Sequence, residues 1–250
     1  MSIAIYMLHA IGTLTQDDWA DPHYCYSEEN FKSLLIKAKQ VFSVNDIPPE
    51  DNSQTIVLTF DDGHISNYWA GKYIADNGYG SAEFYINPAH IGKDYYMTWS
   101  QLQELADLGM SIQSHGLDHS YLSELTDAEL EHQLSASKAI IESHIHQPVT
   151  RLSPPGGRYD KRCVRLAKTL GYQSILSSQP GIVKRLDAYL LPRIAVLHDS
   201  KVETLIAMAN ASNSDLIRSK IRYFILTLAK TALGTRNYER IRWYLLGVEK

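Results

Sequence analysis

The sequence predicts an α/β protein built around a mostly parallel sheet. Seven short β-type runs recur along the chain, at 3–9, 55–61, 82–87, 110–115, 149–153, 173–178 and 190–197, and helix-type segments fill most of the gaps. Strands that alternate with helices bury both faces of a parallel sheet. Seven candidates suit either a barrel or a doubly wound sheet, and 250 residues suffice for one such domain.

The helices announce themselves at their ends. Ser27 can cap a helix through Phe42, with Phe31, Leu34, Leu35, Ala38 and Phe42 on one face. Thr98 with Gln101, and Thr126 with Glu129, read as capping boxes, the second opening a long helix to about Ile145. Another helix spans about 160–170 and stops at Gly171, a residue suited to a left-handed C-terminal cap.

Composition narrows the classes. With 44% hydrophobic and 21% charged residues the chain is neither disordered nor fibrous. A net charge of −4 argues against a nucleic-acid binder. Only two cysteines, Cys25 and Cys163, exclude a disulfide scaffold and a Cys-rich zinc site. No basic segment precedes the first apolar run and no stretch of about 18 apolar residues occurs, so the expectation is a cytoplasmic protein. Charge is uneven, with +6 on residues 216–250 and −10 on residues 1–215. The expected organisation is a catalytic domain over 1–212 and a basic helical extension over 213–250.

In parallel α/β folds catalytic groups gather at the C-terminal ends of strands. Here those ends carry His9, Asp61-Asp62-Gly63, Ser114-His115 with His119 close behind, and Ser153-Pro154-Pro155-Gly156-Gly157. An Asp-Gly pair is by itself an ordinary turn. Two carboxylates that converge there repel unless a cation intervenes, so one can bind metal while the other handles a proton. His115 and His119 stand at i and i+4, a metal-ligand spacing. With an Asp from another strand end they form a set that leaves open positions on a divalent metal.

The same residues resemble the polysaccharide deacetylases (NodB homology, carbohydrate esterase family four). Thr59-Phe60-Asp61-Asp62-Gly63 matches the family's first motif, Ser114-His115-Gly116-Leu117-Asp118-His119 its second, and 153–160 a relaxed third. The resemblance covers roughly residues 3–198. It implies a distorted (β/α)7 barrel and removal of an N-acetyl group from an amino sugar, commonly with zinc. It implies Asp61 as catalytic base and Asp62, His115 and His119 as metal ligands, with a backbone N–H near Gly156 facing the oxyanion. The arginine that usually precedes Pro-Pro and orients the base is replaced by Ser153, which leaves Arg151 and Arg193 as candidates, Arg193 preferred. The general acid is either His198, in the late position, or His9, as in a branch resembling biofilm poly-N-acetylglucosamine deacetylases. His9 is preferred, and His64 reads as a rim residue.

The expected partner is an N-acetylated amino-sugar glycan or a lipid- or nucleotide-linked precursor. Trp69, Tyr85, Tyr95, Tyr96, Trp99 and Tyr159 are candidate sugar platforms, most of them expected to pack. A deformylase or other amidohydrolase on an amino sugar, and a catalytically weak glycan-binding homologue, are the alternatives. In the tail, Ile217, Ile221, Phe224, Ile225, Leu228 and Leu233 recur at near-helical spacing, continued by Ile241, Tyr244 and Leu245. Either this face packs on the barrel, the preferred expectation, or it anchors the protein to anionic lipid on the inner face of a membrane.

Overall fold

A computed structural model describes residues 2–47, 54–209, 214–225 and 227–228. Its strands are β1 Ser2–Leu8, β2 Ala10–Ile11, β3 Cys25–Tyr26, β4 Gln54–Phe60, β5 Glu83–Ile86, β6 Ser111–Ser114, β7 Arg151–Leu152, β8 Ser174–Leu176, β9 Leu190–Leu191 and β10 Ile194–Ala195. Its helices are α1 Glu28–Ala38, α2 Ser66–Asp76, α3 Trp99–Asp107, α4 Asp127–Ile145, α5 Lys161–Thr169 and α6 Val202–Ala209. A further helical stretch covers 214–225.

The main sheet has eight strands in the order β10-β1-β4-β5-β6-β7-β8-β9, all parallel. Its two edges, β9 and β10, are separated in sequence only by Pro192 and Arg193. Leu191 pairs with Leu176 of β8, and Ile194 pairs with Tyr6 of β1. One broken strand therefore reaches both edges and rolls the sheet into a distorted barrel. Counted once, it gives the seven strand positions of the predicted (β/α)7 fold. The run over 190–197, expected to be continuous, breaks because Pro192 has no N–H for a ladder, and the Arg193 N–H turns to the Gln179 carbonyl at 3.1 Å.

Strand alternation sorts the side chains. Ile3, Ile5, Val57, Tyr85, Leu176 and Leu191 pack together inside the barrel. Ala4, Tyr6, Leu8, Leu58, Phe60 and Phe84 face the helices and join the outer core with Phe31, Leu34 and Leu102. The same parity carries His9, Asp61, His115 and Ser153 to the interior side at the C-terminal mouth. At the opposite end it brings Glu83 and Arg151 together, 3.3 Å apart and both buried. Glu83 also accepts from Tyr85 Oη at 2.6 Å and Val44 N at 3.1 Å, and Arg151 donates to Asn45 at 2.6 Å. Arg151 thus plugs the floor of the barrel.

The helix ends follow local chemistry. Both capping boxes form, at Thr98 and Thr126, and Ser27 accepts from the Asn30 N–H. Gly171 takes the left-handed conformation (φ 83°) after α5. Helix α1 stops at Ala38, short of the expected Phe42, because Val41 and Phe42 leave it to bridge Gly80 and Val57.

The tail departs from the preferred expectation. Leu216 is buried, but Ile217, Ile221, Phe224, Ile225 and Leu228 are all exposed, each more than half accessible. Among the described residues that row stays largely open to solvent, with Phe224 lining a recess beside Leu190 and Pro192. Leu233, Ile241, Tyr244 and Leu245 lie outside the described residues. Among the described residues no helix is long and apolar enough to cross a membrane.

Candidate active site

Asp62, two residues after β4, takes the left-handed region, φ 73°, and is followed by Gly63 at φ 78°. Asp tolerates that region better than most residues, and the turn swings its carboxylate toward the loop after β6. Asp62 Oδ1 lies 3.1 Å from His115 Nε2 and 3.2 Å from His119 Nε2. Neither approach is aligned as a hydrogen bond, and Oδ1 is buried with no hydrogen-bond partner among the described residues. One donor atom from each of the three residues lies within 4.8 Å of the others. Donors that converge on a point without pairing fit a divalent cation.

The surroundings fix those donors. His115 Nδ1 donates to the Ser153 carbonyl at 2.7 Å, which leaves the Nε2 lone pair for a metal. Asn87, at the end of β5, donates to the His115 carbonyl at 2.5 Å. His119 also sits at positive φ, 67°. Its loop is clamped by α4, where Gln133 accepts from Leu117 N at 2.9 Å and donates to Asp118 at 2.7 Å, and Ser137 donates to the Gly116 carbonyl at 3.0 Å. Burial works against a charged Asp62, but its contacts with His115 and His119 hold the carboxyl well below the usual range. Burial lowers His119 too, yet the Asp62 carboxylate outweighs it and raises the imidazole above its ordinary value.

Asp61 is held quite differently. Arg193 grips it with two bonds, NH1 to Oδ1 and NH2 to Oδ2, each 2.8 Å. Ser153 Oγ donates to Oδ2 at 3.0 Å while accepting from Arg193 NH2 at 2.7 Å. The guanidinium is completed by Thr59 Oγ1 at 3.1 Å and the Ser177 carbonyl at 3.3 Å. Burial pushes the Asp61 carboxyl up, but Arg193 and His115 together bring it below its ordinary value. Of the two candidate arginines, the structure brings Arg193 to Asp61 and leaves Arg151 at the far end. Ser153, the departure in the third motif, closes the network.

His9 is half-buried in the same mouth, with its ring 4.6 Å from Tyr24. Its Nδ1 is buried with no hydrogen-bond partner among the described residues. Burial lowers its pKa, against the pull of Asp62 and Asp61. His198 is exposed and lies against His23, ring centroids 5.2 Å apart. His64 is buried, bonded to Asp18 and Ser66. Gly156 lies at φ 58°, where a Cβ would come within 2.8 Å of Tyr121.

Most of the proposed sugar platforms pack. Trp69 lies against Tyr73 and Phe31, Trp99 stacks on His144, and Tyr85 is buried on Glu83. The sequence did not single out Asn87 or Gln133, which hold the loop of the two histidines. Asn87 could have been found as a polar residue at an inward-facing strand end; Gln133 lies among the buried positions of α4 and gives no separate signal.

A seven-position parallel barrel with an Asp-His-His set beside a clamped carboxylate defines a deacetylase-type barrel. Residues 49–175 match the model of the polysaccharide deacetylase family, and the chain belongs to that family. It is 30% identical over 171 residues to the Bacillus subtilis protein YxkH, classed with the polysaccharide deacetylases, covering 68% of this chain and 60% of that one. It is 29% identical over 129 residues to a peptidoglycan-N-acetylglucosamine deacetylase of Bacillus cereus, covering 51% of this chain and 58% of the relative. The chain thus spans about 60% of the length of these curated relatives. Its fold is similar to that of the Streptococcus pyogenes deacetylase PplD, solved with acetate, at a TM-score of 0.71 and 23% identity over 83% of this chain and 97% of the other.

The electrostatics give a testable sign. In the metal-free protein the Asp62–His119 contact stabilises the fold fully below the ordinary histidine value of 6.5, and that contribution is lost as pH rises through the raised value of His119. A metal held by these three donors would displace that proton, so loading should release protons near neutral pH and release fewer at alkaline pH. His115→Ala and His119→Ala should each lose stoichiometric metal. Metal analysis and a pH-indicator titration check both; metal retained by both variants would remove the assignment.

Proposed function

We propose that the chain is a metal-dependent hydrolase that removes N-acetyl groups from an amino sugar in a glycan or glycan precursor. The observation that carries this reading is the clamped Asp61 carboxylate beside the converging Asp62, His115 and His119. Zinc is the metal best suited to two imidazoles and one carboxylate with open positions. When bound, it supplies Lewis acidity, polarising the amide carbonyl and acidifying water from about 15.7 toward about 7.

The residues divide the remaining work. Asp61 is a weak base because Arg193 stabilises its anion, so it accepts a proton only from a strongly acidified water. Arg193 and Ser153 fix its orientation. Burial lowers the proton affinity of His9, so when it takes up the proton that Asp61 accepts from water it readily passes that proton to the departing amine. A backbone N–H near Gly156 serves the oxyanion. Acetate and a free amino sugar result.

Asp61→Asn is expected to keep its metal and lower acetate release from N-acetylated amino-sugar oligomers by about 10²–10⁴. His9→Ala should also lose turnover with metal retained, whereas His198→Ala should not. Release of formate in place of acetate would favour the deformylase alternative, and glycan binding without turnover the degenerate one.

A second reading concerns location. The exposed row of Ile217, Ile221, Phe224, Ile225 and Leu228 shares its helical stretch with Arg218, Lys220 and Arg222. Basic charge flanking open apolar side chains complements an anionic lipid surface, at about 1 kcal/mol per basic residue near it. On this reading the protein docks on the cytoplasmic leaflet, beside a lipid-linked precursor. Sedimentation with anionic vesicles should show binding that weakens with salt and is lost in an Ile221→Asp, Phe224→Asp variant. No affinity for such vesicles at low salt would end the idea.

A further inference from the structure

We propose that the Trp19 indole, backed by Tyr96, is a carbohydrate subsite beside the metal donors that takes the apolar face of a sugar ring. The inference deepens the deacetylase reading and rests on it for the choice of ligand.

The segment that carries Trp19 runs from Gly12 to Asp21 without strand or helix, yet its position is fixed. Gly12 N donates to the Tyr26 carbonyl at 2.8 Å, and Thr15 Oγ1 donates to Tyr95 Oη at 3.1 Å. The strongest tether is a relay through His64. Ser66 Oγ accepts from Ile11 N at 2.9 Å, so its proton turns to His64 Nδ1 at 2.8 Å. His64 Nε2 then carries a hydrogen and donates to Asp18 Oδ2 at 3.0 Å. Asp18 also accepts from Ala20 N at 3.0 Å. Both the His64 and Asp18 side chains are 5% exposed. Ser66, His64 and Asp18 have the composition of a hydrolytic triad, but the serine is already committed to the backbone. The relay is a brace from the residue next to Gly63 to the residue next to Trp19.

The brace holds Trp19 without using the indole. One face of that ring stacks on Tyr96, with centroids 4.4 Å apart and planes 14° apart, and its edge meets His64 at 5.4 Å. Even so, Trp19 stays 39% exposed. Large aromatic rings contribute most to stability when buried, so a rigidly backed ring left open to solvent fits a contact made with something else. The backing residue is tied to the same turn as the metal donors: Tyr96 bridges His64 backbone to backbone, two residues after Asp62. Tyr96 also lies 5.1 Å from the His90 ring. A sugar ring offers an apolar C–H face that matches an indole in area and a polar rim that stays wet. Trp19 so placed would hold a ring next to the one whose N-acetyl group is removed.

The probe is a β-linked N-acetylglucosamine pentamer, used with the full chain, Trp19→Ala and Trp19→Phe, each checked for metal content. Trp19→Ala should raise KM for acetate release about tenfold with kcat changed far less, and Trp19→Phe should recover most of the loss. Tryptophan emission, titrated with the pentamer in a His9→Ala background, should respond in the presence of Trp19 and not in Trp19→Phe. This arm reads binding without turnover. Binding that depends on Trp19 without acetate release would sink the deacetylase reading and keep the subsite. Acetate release with the same KM in Trp19→Ala, or no emission response to the pentamer, would overturn the subsite.

Discussion

A guanidinium with no exposure, lodged where one strand breaks, is the constraint on which the rest of this protein depends. Arg193 is fully buried and Asp61 nearly so. Removing two such charges from water costs several kcal/mol per ion, and the pair is tolerable only when every bond is made. Here they are made, by Asp61, Thr59, Ser153 and the Ser177 carbonyl. These partners come from β4 and from the loops that follow β7 and β8. The interaction that seals the barrel between its edge strands is therefore the one that orients the carboxylate at its mouth. Closure and site geometry are a single event.

The barrel interior is layered as a result. At the floor Glu83, Tyr85 and Arg151 satisfy one another. Ile3, Ile5, Val57 and Leu191 form a dry middle. The mouth holds the polar set. This layering keeps the second buried arginine away from the first carboxylate. It also explains why Asp61 and Asp62, neighbours in sequence, behave unalike. Asp61 continues the inward parity of its strand and meets a cation of the protein. Asp62 leaves the strand at positive φ and meets two imidazoles that have no other use for it.

Much of this was legible in the sequence, because strand parity and strand ends are local properties. His9, Asp61, His115 and Ser153 follow the same two-residue period as Ile5, Val57, Gln113 and Arg151. What the sequence did not decide was register along the barrel axis. Arg151 and Arg193 both face inward, but one begins its strand and the other interrupts one, and only pairing with β8 and β1 distinguishes floor from mouth. Pro192 carried a signal for that interruption. The early end of α1 reflects bridges to Gly80 and Val57, which are distant in sequence. Trp19 was unreadable because its place depends on a relay through His64 and Ser66, two side chains that no periodicity links to it. The row from Ile217 to Leu228 had the right spacing for packing, but spacing cannot say whether a partner surface is there.

The account's central claim is that Arg193 and Asp61 act as one unit in closing the fold. A double-mutant cycle on stability tests it most directly, using Asp61→Asn, Arg193→Met and the pair, each unfolded in urea. Each single change strands a buried group, so each should be strongly destabilising, while the double variant should lose much less than their sum. The expected coupling is about 2–3 kcal/mol. Effects that add to within about 0.5 kcal/mol would contradict the account, because the two residues would then be independent parts of the barrel.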